Sequence, residues 1–162
     1  MMRYGENTMR TIHYFDSDLT VEDYIRKEIL KNTGTQNVAM KSDLENLCAE
    51  LKIEINKKTT KDEMLDMIIE SGYSYENIAS TFGVGVSSQV YQKAFNITHQ
   101  DIKRLEKHGV LEVVGSFRFR AFGKYNYAPL YDIYQYARMS DEDMKKLLEE
   151  YPKRKCVKKT VE

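Results

Sequence analysis

The chain has 162 residues, of which 31% are charged and 41% apolar, and its 25 Lys and Arg side chains are balanced by 25 Asp and Glu. This length and composition predict a soluble protein with a substantial core, and no apolar stretch approaches the roughly 18 residues that a membrane span needs. The first residues, MMRYGENTMRTIHYF, lack the apolar segment of a signal peptide, so we expect a cytoplasmic protein.

The sequence carries no motif of a catalytic or metal site. Its two cysteines, Cys48 and Cys156, are far apart, and neither has a Cys or His at ligand spacing. The stretch GVGVSSQ lacks the Lys–Ser/Thr pair of a phosphate-binding loop, and no serine lies in a nucleophile elbow. We therefore expect no metal, no cofactor and no enzymatic activity.

Residues 1–37 are predicted to form an N-terminal segment with one helix. Residues 1–18 are polar and aperiodic, so we expect them to lie on the surface or to fray. Thr20 can cap a helix over about 20–32, and Gly34 is expected to end it. The apolar stripe of this helix contains Tyr24, Ile25, Ile29 and Leu30.

Residues 38–72 are predicted to form two short helices joined by an extended link. Ser42 with Glu45 suggests one capping box, and Thr60 with Glu63 suggests a second. The apolar faces of the two helices contain Leu44, Leu47, Cys48 and Leu51, then Met64, Leu65, Ile68 and Ile69.

The pattern KSDLENLCAELKIEINKKTTKDEMLDMI resembles the helix–extension–helix modules of the SAP, LEM and Rho N-terminal superfamily. The resemblance implies binding to DNA, RNA or a protein. Residues 40–72 carry five basic and eight acidic side chains, a balance of −3. Binding of nucleic acid by this module would therefore depend on a local cluster formed by Lys41, Lys57, Lys58 and Lys61. A structural or protein-docking role for the module stays open.

Residues 73–109 are predicted to form three helices. The first covers 74–82, and the second runs from Ser87 or Ser88 to Phe95. The third begins at Thr98, which can cap, with Asp101 in the capping-box position, and it stops at Gly109. In the third helix Ile102 and Leu105 face the core. The opposite, exposed face then contains His99, Gln100, Lys103, Arg104 and Lys107.

A β-hairpin is predicted after the third helix. The runs VLEVV and FRFRAF are joined by Gly115–Ser116, which suits a type II′ turn. Alternation would place Phe117, Phe119 and Ala121 on one face and Arg118, Arg120 and Phe122 on the other. A third extended piece, KYNYAP, would follow, and Pro129 is expected to start a helix.

This order of elements is that of a winged helix-turn-helix, and the residues AFNITHQDIKRLEKHGVL resemble that superfamily. FGKYNYAPLYDI is similar to the turn that follows the helix-turn-helix in MerR-type and excisionase-like proteins, although Lys124 stands where that group usually has Arg. The fold class is thus mainly α with a small β-hairpin wing: a helix–extension–helix module, then a winged helix-turn-helix over 73–139. Residues 140–162 are predicted as a capped helix and a basic tail, and the helix could pack back or dimerise.

The predicted function is binding of double-stranded DNA, by a transcriptional regulator or accessory factor of a bacterium, phage or mobile element. Residues 87–138 support it with eight basic and four acidic side chains. Gln100, Lys103 and Arg104 are expected at base edges. Expected at phosphates are His99, Lys107, Arg118, Arg120 and Lys124.

The alternative is a protein-interaction module, such as a phage-encoded inhibitor or a virion assembly component. Its contact surfaces would be residues 40–72 or the tyrosine cluster Tyr125, Tyr127, Tyr131, Tyr134 and Tyr136. A DNA-binding protein should present the third helix and the hairpin as one continuous positive face. An interaction protein should instead pair those cations with Glu106, Glu112 or the acidic module.

Overall fold

The computed structural model of the chain describes residues 9–14, 17–31 and 39–153. The expectations for Gly34, Cys156 and the basic tail fall on residues outside these ranges. The elements, in chain order, are β1 (Ile12–Tyr14), β2 (Ser17–Leu19), α1 (Val21–Leu30), α2 (Lys41–Glu50), α3 (Lys61–Glu70), α4 (Tyr75–Phe82), β3 (Gly85–Val86), α5 (Ser88–Phe95), α6 (His99–Lys107), β4 (Val113–Ala121), β5 (Lys124–Asp132), α7 (Ile133–Arg138) and α8 (Asp141–Glu150).

The described part of the N-terminal segment is integrated into the fold. β1 and β2 pair antiparallel, and Ile12 is fully buried. The backbone N–H of Arg10 donates to the carbonyl of Ala137 at 2.9 Å. Most of these residues are exposed, so the segment lies on the surface as expected, but it does not fray, because Ile12 anchors an otherwise polar hairpin. Helix α1, capped by Thr20, confirms the first predicted helix.

Helices α2 and α3 confirm the predicted pair of helices, but only one of the two predicted caps. Thr60 and Glu63 form the expected capping box at the start of α3. Ser42 does not cap α2, because the helix already begins at Lys41. Instead, the Asp43 carboxylate accepts the N–H of the N-cap residue Met40 at 2.8 Å.

Arg26 links helix α1 to helices α3 and α4. Its guanidinium donates to Asp62 and, at 2.6 Å, to Asp66 in α3, and to the Tyr75 hydroxyl in α4 at 3.2 Å. Burial lowers the pKa of Arg26, but these hydrogen bonds outweigh it and raise that pKa above its ordinary value. Asp62 and Asp66, two of the eight acidic side chains of residues 40–72, are thus paired with a cation of the same chain.

The three consecutive helices α4, α5 and α6 are followed by a hairpin, as predicted, but VLEVV and FRFRAF do not pair: both contribute to β4, and KYNYAP, expected as a third extended piece, begins the second strand β5. A short strand that was not predicted, β3, lies between α4 and α5. It pairs with β5, and the three-stranded antiparallel sheet has the order β3–β5–β4. The carbonyl of Gly85 in β3 also accepts the Tyr24 hydroxyl of α1 at 3.0 Å.

The hairpin turn lies seven residues later than predicted. Ala121 pairs with Lys124, so the two turn residues are Phe122 and Gly123, with φ of 54° and 73°. Positive φ at both positions is the type I′ geometry. Gly115 lies within β4, and a larger residue would not fit there, because a Cβ would lie 2.7 Å from the carbonyl oxygen of Gly83. This glycine permits a close backbone approach and does not make a turn.

The helix expected at Pro129 starts later. Strand β5 continues to Asp132, whose carboxylate accepts the N–H groups of Tyr134 and Gln135 and so caps α7. β3 pairs only with Tyr131 and Asp132, so Pro129 has a neighbouring strand on one side alone. Proline is tolerated in a sheet at such an edge position.

The buried apolar side chains of the described residues, which come from β1, β3, β5, helices α1 to α8 and the connecting residues between them, belong to one contiguous core. Three tyrosines lie at its centre: the ring of Tyr91 packs edge-on against Tyr131 and Tyr136, with centroids 5.8 and 5.1 Å apart. Cys48 is buried in the core, as expected, and burial raises the pKa of its thiol. None of the helices among the described residues has the length and apolar character needed to cross a bilayer.

Candidate nucleic-acid interface

Helix α6 is fixed at both ends and along its inner face. Thr98 and Asp101 form the predicted capping box, with two hydrogen bonds of 3.1 Å, and Gly109 follows the helix with a φ of 76°. Ile102 and Leu105 are fully buried. The helical repeat then turns the opposite face to solvent, and the predicted side chains exposed there are those of His99, Gln100, Lys103 and Lys107.

Arg104 does not lie on this exposed face. Its guanidinium donates to the Asp101 carboxylate and to the carbonyl of Tyr151, both at 2.8 Å, and only 17% of its side chain is exposed. Burial raises the pKa of Asp101, but the hydrogen bonds from Thr98 and Arg104 outweigh it and hold that pKa below its ordinary value. Arg104 therefore joins α6 to the end of α8, a position that does not suit the base contact expected of it.

Two more of the predicted cations have partners within the chain. The Lys103 ammonium lies 2.9 Å from the Glu106 carboxylate, which also accepts the Tyr131 hydroxyl at 2.7 Å. Burial raises the pKa of Glu106, but the bonds from Tyr131 and Lys103 outweigh it and lower that pKa. His99 contacts the Ser88 hydroxyl through Nδ1 at 2.8 Å. Lys103 remains exposed, so the Glu106 carboxylate offsets part of its positive field without covering the ammonium.

The hairpin places arginine and tyrosine together on one face. Arg118 lies opposite Tyr127, and Arg120 lies opposite Tyr125. The two guanidinium carbons are 4.5 and 5.2 Å from the centre of the Tyr125 ring. Lys124 lies opposite Ala121, so alternation puts it on the other face of the hairpin. The predicted cations thus occupy both faces of the hairpin.

The tyrosine cluster divides into buried and exposed members. Tyr131, Tyr134 and Tyr136 belong to the core, and burial raises the pKa of Tyr134 to about 12. Tyr125 and Tyr127 are 53% and 69% exposed, so only these two can contact a partner. The sequence analysis did not predict that Tyr125 and Tyr127 lie beside Arg118 and Arg120. With the turn placed at Phe122–Gly123, the alternation of side chains along the two strands puts these four residues on one face.

The four lysines that were predicted to form a local cluster, Lys41, Lys57, Lys58 and Lys61, do not form one exposed cluster. The Lys61 ammonium is buried and donates to the carbonyls of Ala39 at 2.7 Å and Lys31 at 3.4 Å, and burial lowers its pKa. Lys41 is exposed but donates to the carbonyl of Lys57 at 3.2 Å. Lys57 and Lys58 are exposed on the link. The contact expected of Lys61 does not fit its buried position.

Within residues 9–14, 17–31 and 39–153, no three His, Cys, Asp or Glu side chains come together as a metal site. No family model matches the chain, and no curated protein and no solved structure is significantly similar to it.

Proposed function

We propose that residues 73–139 form a winged helix-turn-helix that binds double-stranded DNA, and that the protein acts as a transcriptional regulator or accessory factor. The chain order of three helices followed by a hairpin supports the fold. Function has to be argued from the site, because one fold can serve several functions.

The exposed face of α6 carries this proposal. An α-helix with its side chains is about 10–12 Å across, close to the roughly 12 Å width of the major groove. Gln100 can bond an adenine edge through its amide, and Lys103 can donate to guanine acceptors. Lys107 lies one turn further along the exposed face from Lys103 and suits a phosphate. Arg104 is left out of this set because it is committed to Asp101 and Tyr151.

The hairpin supplies the sequence-independent part of the binding. Arg120 is exposed and Arg118 is partly exposed, and both are suited to phosphate contacts. Lys124 adds a cation on the opposite face. Each phosphate contact releases condensed counterions, so affinity should fall as salt concentration rises, with a slope close to −0.9 per contact.

Salt-dependent binding to a labelled 30-bp duplex of random sequence, followed by anisotropy, tests the proposal. We expect micromolar binding at low salt that weakens steeply with salt. Lys107→Ala and Arg120→Ala should each reduce the slope by about one unit. Lys145→Ala, which removes an exposed helical lysine from α8, is the matched control and should change nothing. Absence of binding at low salt would refute the proposal.

A second candidate, a protein-interaction module, is favoured by the ion pairs on α6. Lys103 pairs with Glu106, one of the partners expected in an interaction protein, and Arg104 pairs with Asp101, which was not among those partners but also neutralises a cation of α6. Its contact surface would be the exposed carboxylates of 40–72 or the exposed Tyr125 and Tyr127. The two candidates separate in the salt titration, since this one predicts no duplex binding even at low salt.

A further inference from the structure

Phe122 combines two features that disfavour a phenylalanine. It occupies the first position of a type I′ turn with a φ of 54°, where Asn, Asp or Gly is preferred because a larger side chain crowds the backbone. Its exposure is 101%, so the ring packs against none of the described residues. The described contacts therefore give this ring no stabilising role in the fold. Backbone strain and an exposed ring at one position point to a contact with a partner.

The charges around this ring identify the kind of partner. Residues 113–131 contain three cations, Arg118, Arg120 and Lys124, and no carboxylate. Arg120 and Lys124 each stand two residues from Phe122, on opposite sides of the turn. A partner that satisfies this tip must offer negative charge next to a flat apolar surface. Nucleic acid does so, because its phosphates flank stacked bases.

We propose that Phe122 inserts its ring between neighbouring bases of the bound DNA while Arg120 and Lys124 contact the phosphates on either side. The inference rests on the proposed DNA binding and adds how the hairpin tip contacts the bound DNA. The hairpin is a narrow support for such a wedge, since its two strands are about 4.8 Å apart. Apolar side chains that enter a base step in this way unstack it and bend the duplex.

The wedge can be observed directly because the chain has no tryptophan. In Phe122→Trp, all tryptophan emission comes from the hairpin tip of the full-length chain. We expect a 30-bp duplex to quench this emission and to protect the indole from iodide, since a stacked indole is quenched by bases and shielded from solvent. Met40→Trp, at a position 61% exposed and remote in sequence from the hairpin, is the control and should respond little.

Phe122→Asn provides the second test, because asparagine removes the ring and suits the turn. Wild-type protein should raise the fluorescence of a duplex that carries 2-aminopurine at several positions, since unstacked 2-aminopurine is brighter. The variant should lose this rise, and its affinity should fall about fivefold or more, the lower end for loss of one stacked base. Far-UV circular dichroism should show both proteins equally folded.

The outcomes separate the wedge from DNA binding itself. If wild-type protein binds the duplex but the emission of Phe122→Trp is not quenched and Phe122→Asn binds equally well, the wedge is overturned and the proposed function stands. If a single strand quenches the emission of Phe122→Trp and the duplex does not bind, stacking by Phe122 is supported and duplex binding is overturned. If neither DNA binds at low salt, both proposals fail.

Discussion

The guanidinium of Arg104 donates to the carbonyl of Tyr151 at 2.8 Å, so helix α6 is tied to the end of α8. The ring of His108 lies against the Tyr151 ring, with centroids 5.0 Å apart. A side chain that the sequence placed on a DNA-binding face thus holds the C-terminal helix in place. α8 packs back on the chain, which is one of the two arrangements expected of it.

Arg104→Ala should lower the free energy of unfolding by about 1–2 kcal/mol, because it removes charge-assisted hydrogen bonds to Asp101 and Tyr151. Urea unfolding followed by circular dichroism measures this loss. Lys107→Ala, on the exposed face of the same helix, should stay within about 0.5 kcal/mol of wild type. Equal stability of the two variants would contradict the structural role of Arg104.

Asp101→Asn should destabilise the protein at pH 7 by about 1 kcal/mol, because the amide can still cap Thr98 but cannot pair with Arg104. The pKa of Asp101 is lowered in the folded chain, so its contribution is fully present above the ordinary value of 3.8 and is lost as pH falls through the lower, folded value. The stability difference between wild type and variant should therefore shrink below about pH 4. A difference that persists unchanged at pH 2 would argue against the ion pair.

Gly115→Ala should cost about 1–3 kcal/mol, the usual range for forcing an extra carbon into a packed site. The added Cβ would meet the Gly83 carbonyl oxygen at 2.7 Å, and both partners are backbone. Thermal unfolding of Gly115→Ala and of the neighbouring, exposed Ser116→Ala measures the effect. Ser116→Ala should unfold at the wild-type temperature. A Gly115→Ala protein that does the same would mean that the contact relaxes freely.

Phe122→Asn should raise the free energy of unfolding by about 1 kcal/mol, since asparagine adopts the left-handed conformation more readily than phenylalanine. Chemical denaturation at neutral pH provides the measurement. A destabilised variant would show that the ring contributes to the fold. That result would remove the strain argument for its contact role.

Lys61→Ala should lower the free energy of unfolding by about 1–3 kcal/mol, because the carbonyl of Ala39 loses its buried donor. It should leave the salt dependence of DNA binding unchanged. Lys58→Ala removes an exposed lysine of the same segment and should leave stability unchanged. A smaller salt slope in Lys61→Ala alone would place Lys61 at the interface instead.

Much of the helical part of the fold was predictable from the sequence, because the signals were local. Thr20, Thr60, Thr98 and Ser140 cap α1, α3, α6 and α8 as their spacing predicts. The burial of Ile102 and Leu105 follows from helical periodicity alone. Such signals are complete within one or two turns of the chain.

The features that the sequence did not predict depend on contacts between distant residues. Gly115 carried a turn signal, yet its role depends on Gly83 lying against it. The true turn has phenylalanine where asparagine or glycine is typical, so its pattern was weak. The candidate DNA-binding residues were also predicted only in part, because their exposure depends on contacts between distant residues. The Tyr151 carbonyl that accepts a hydrogen bond from Arg104 is 47 residues away, and nothing near Lys61 in the sequence shows that this lysine is buried.

The hydrogen bond from Tyr24 to Gly85 bears on which edge of the three-stranded sheet is free to pair with another strand. An unpaired strand edge invites backbone pairing with another chain. β3 offers little free edge, because it has only two residues and the Gly85 carbonyl already accepts the Tyr24 hydroxyl of α1. Strand addition, by a peptide or by a second copy, is therefore directed to the opposite edge, along β4. Any strand that joined the sheet there would run beside Arg118 and Arg120, which favours an acidic one.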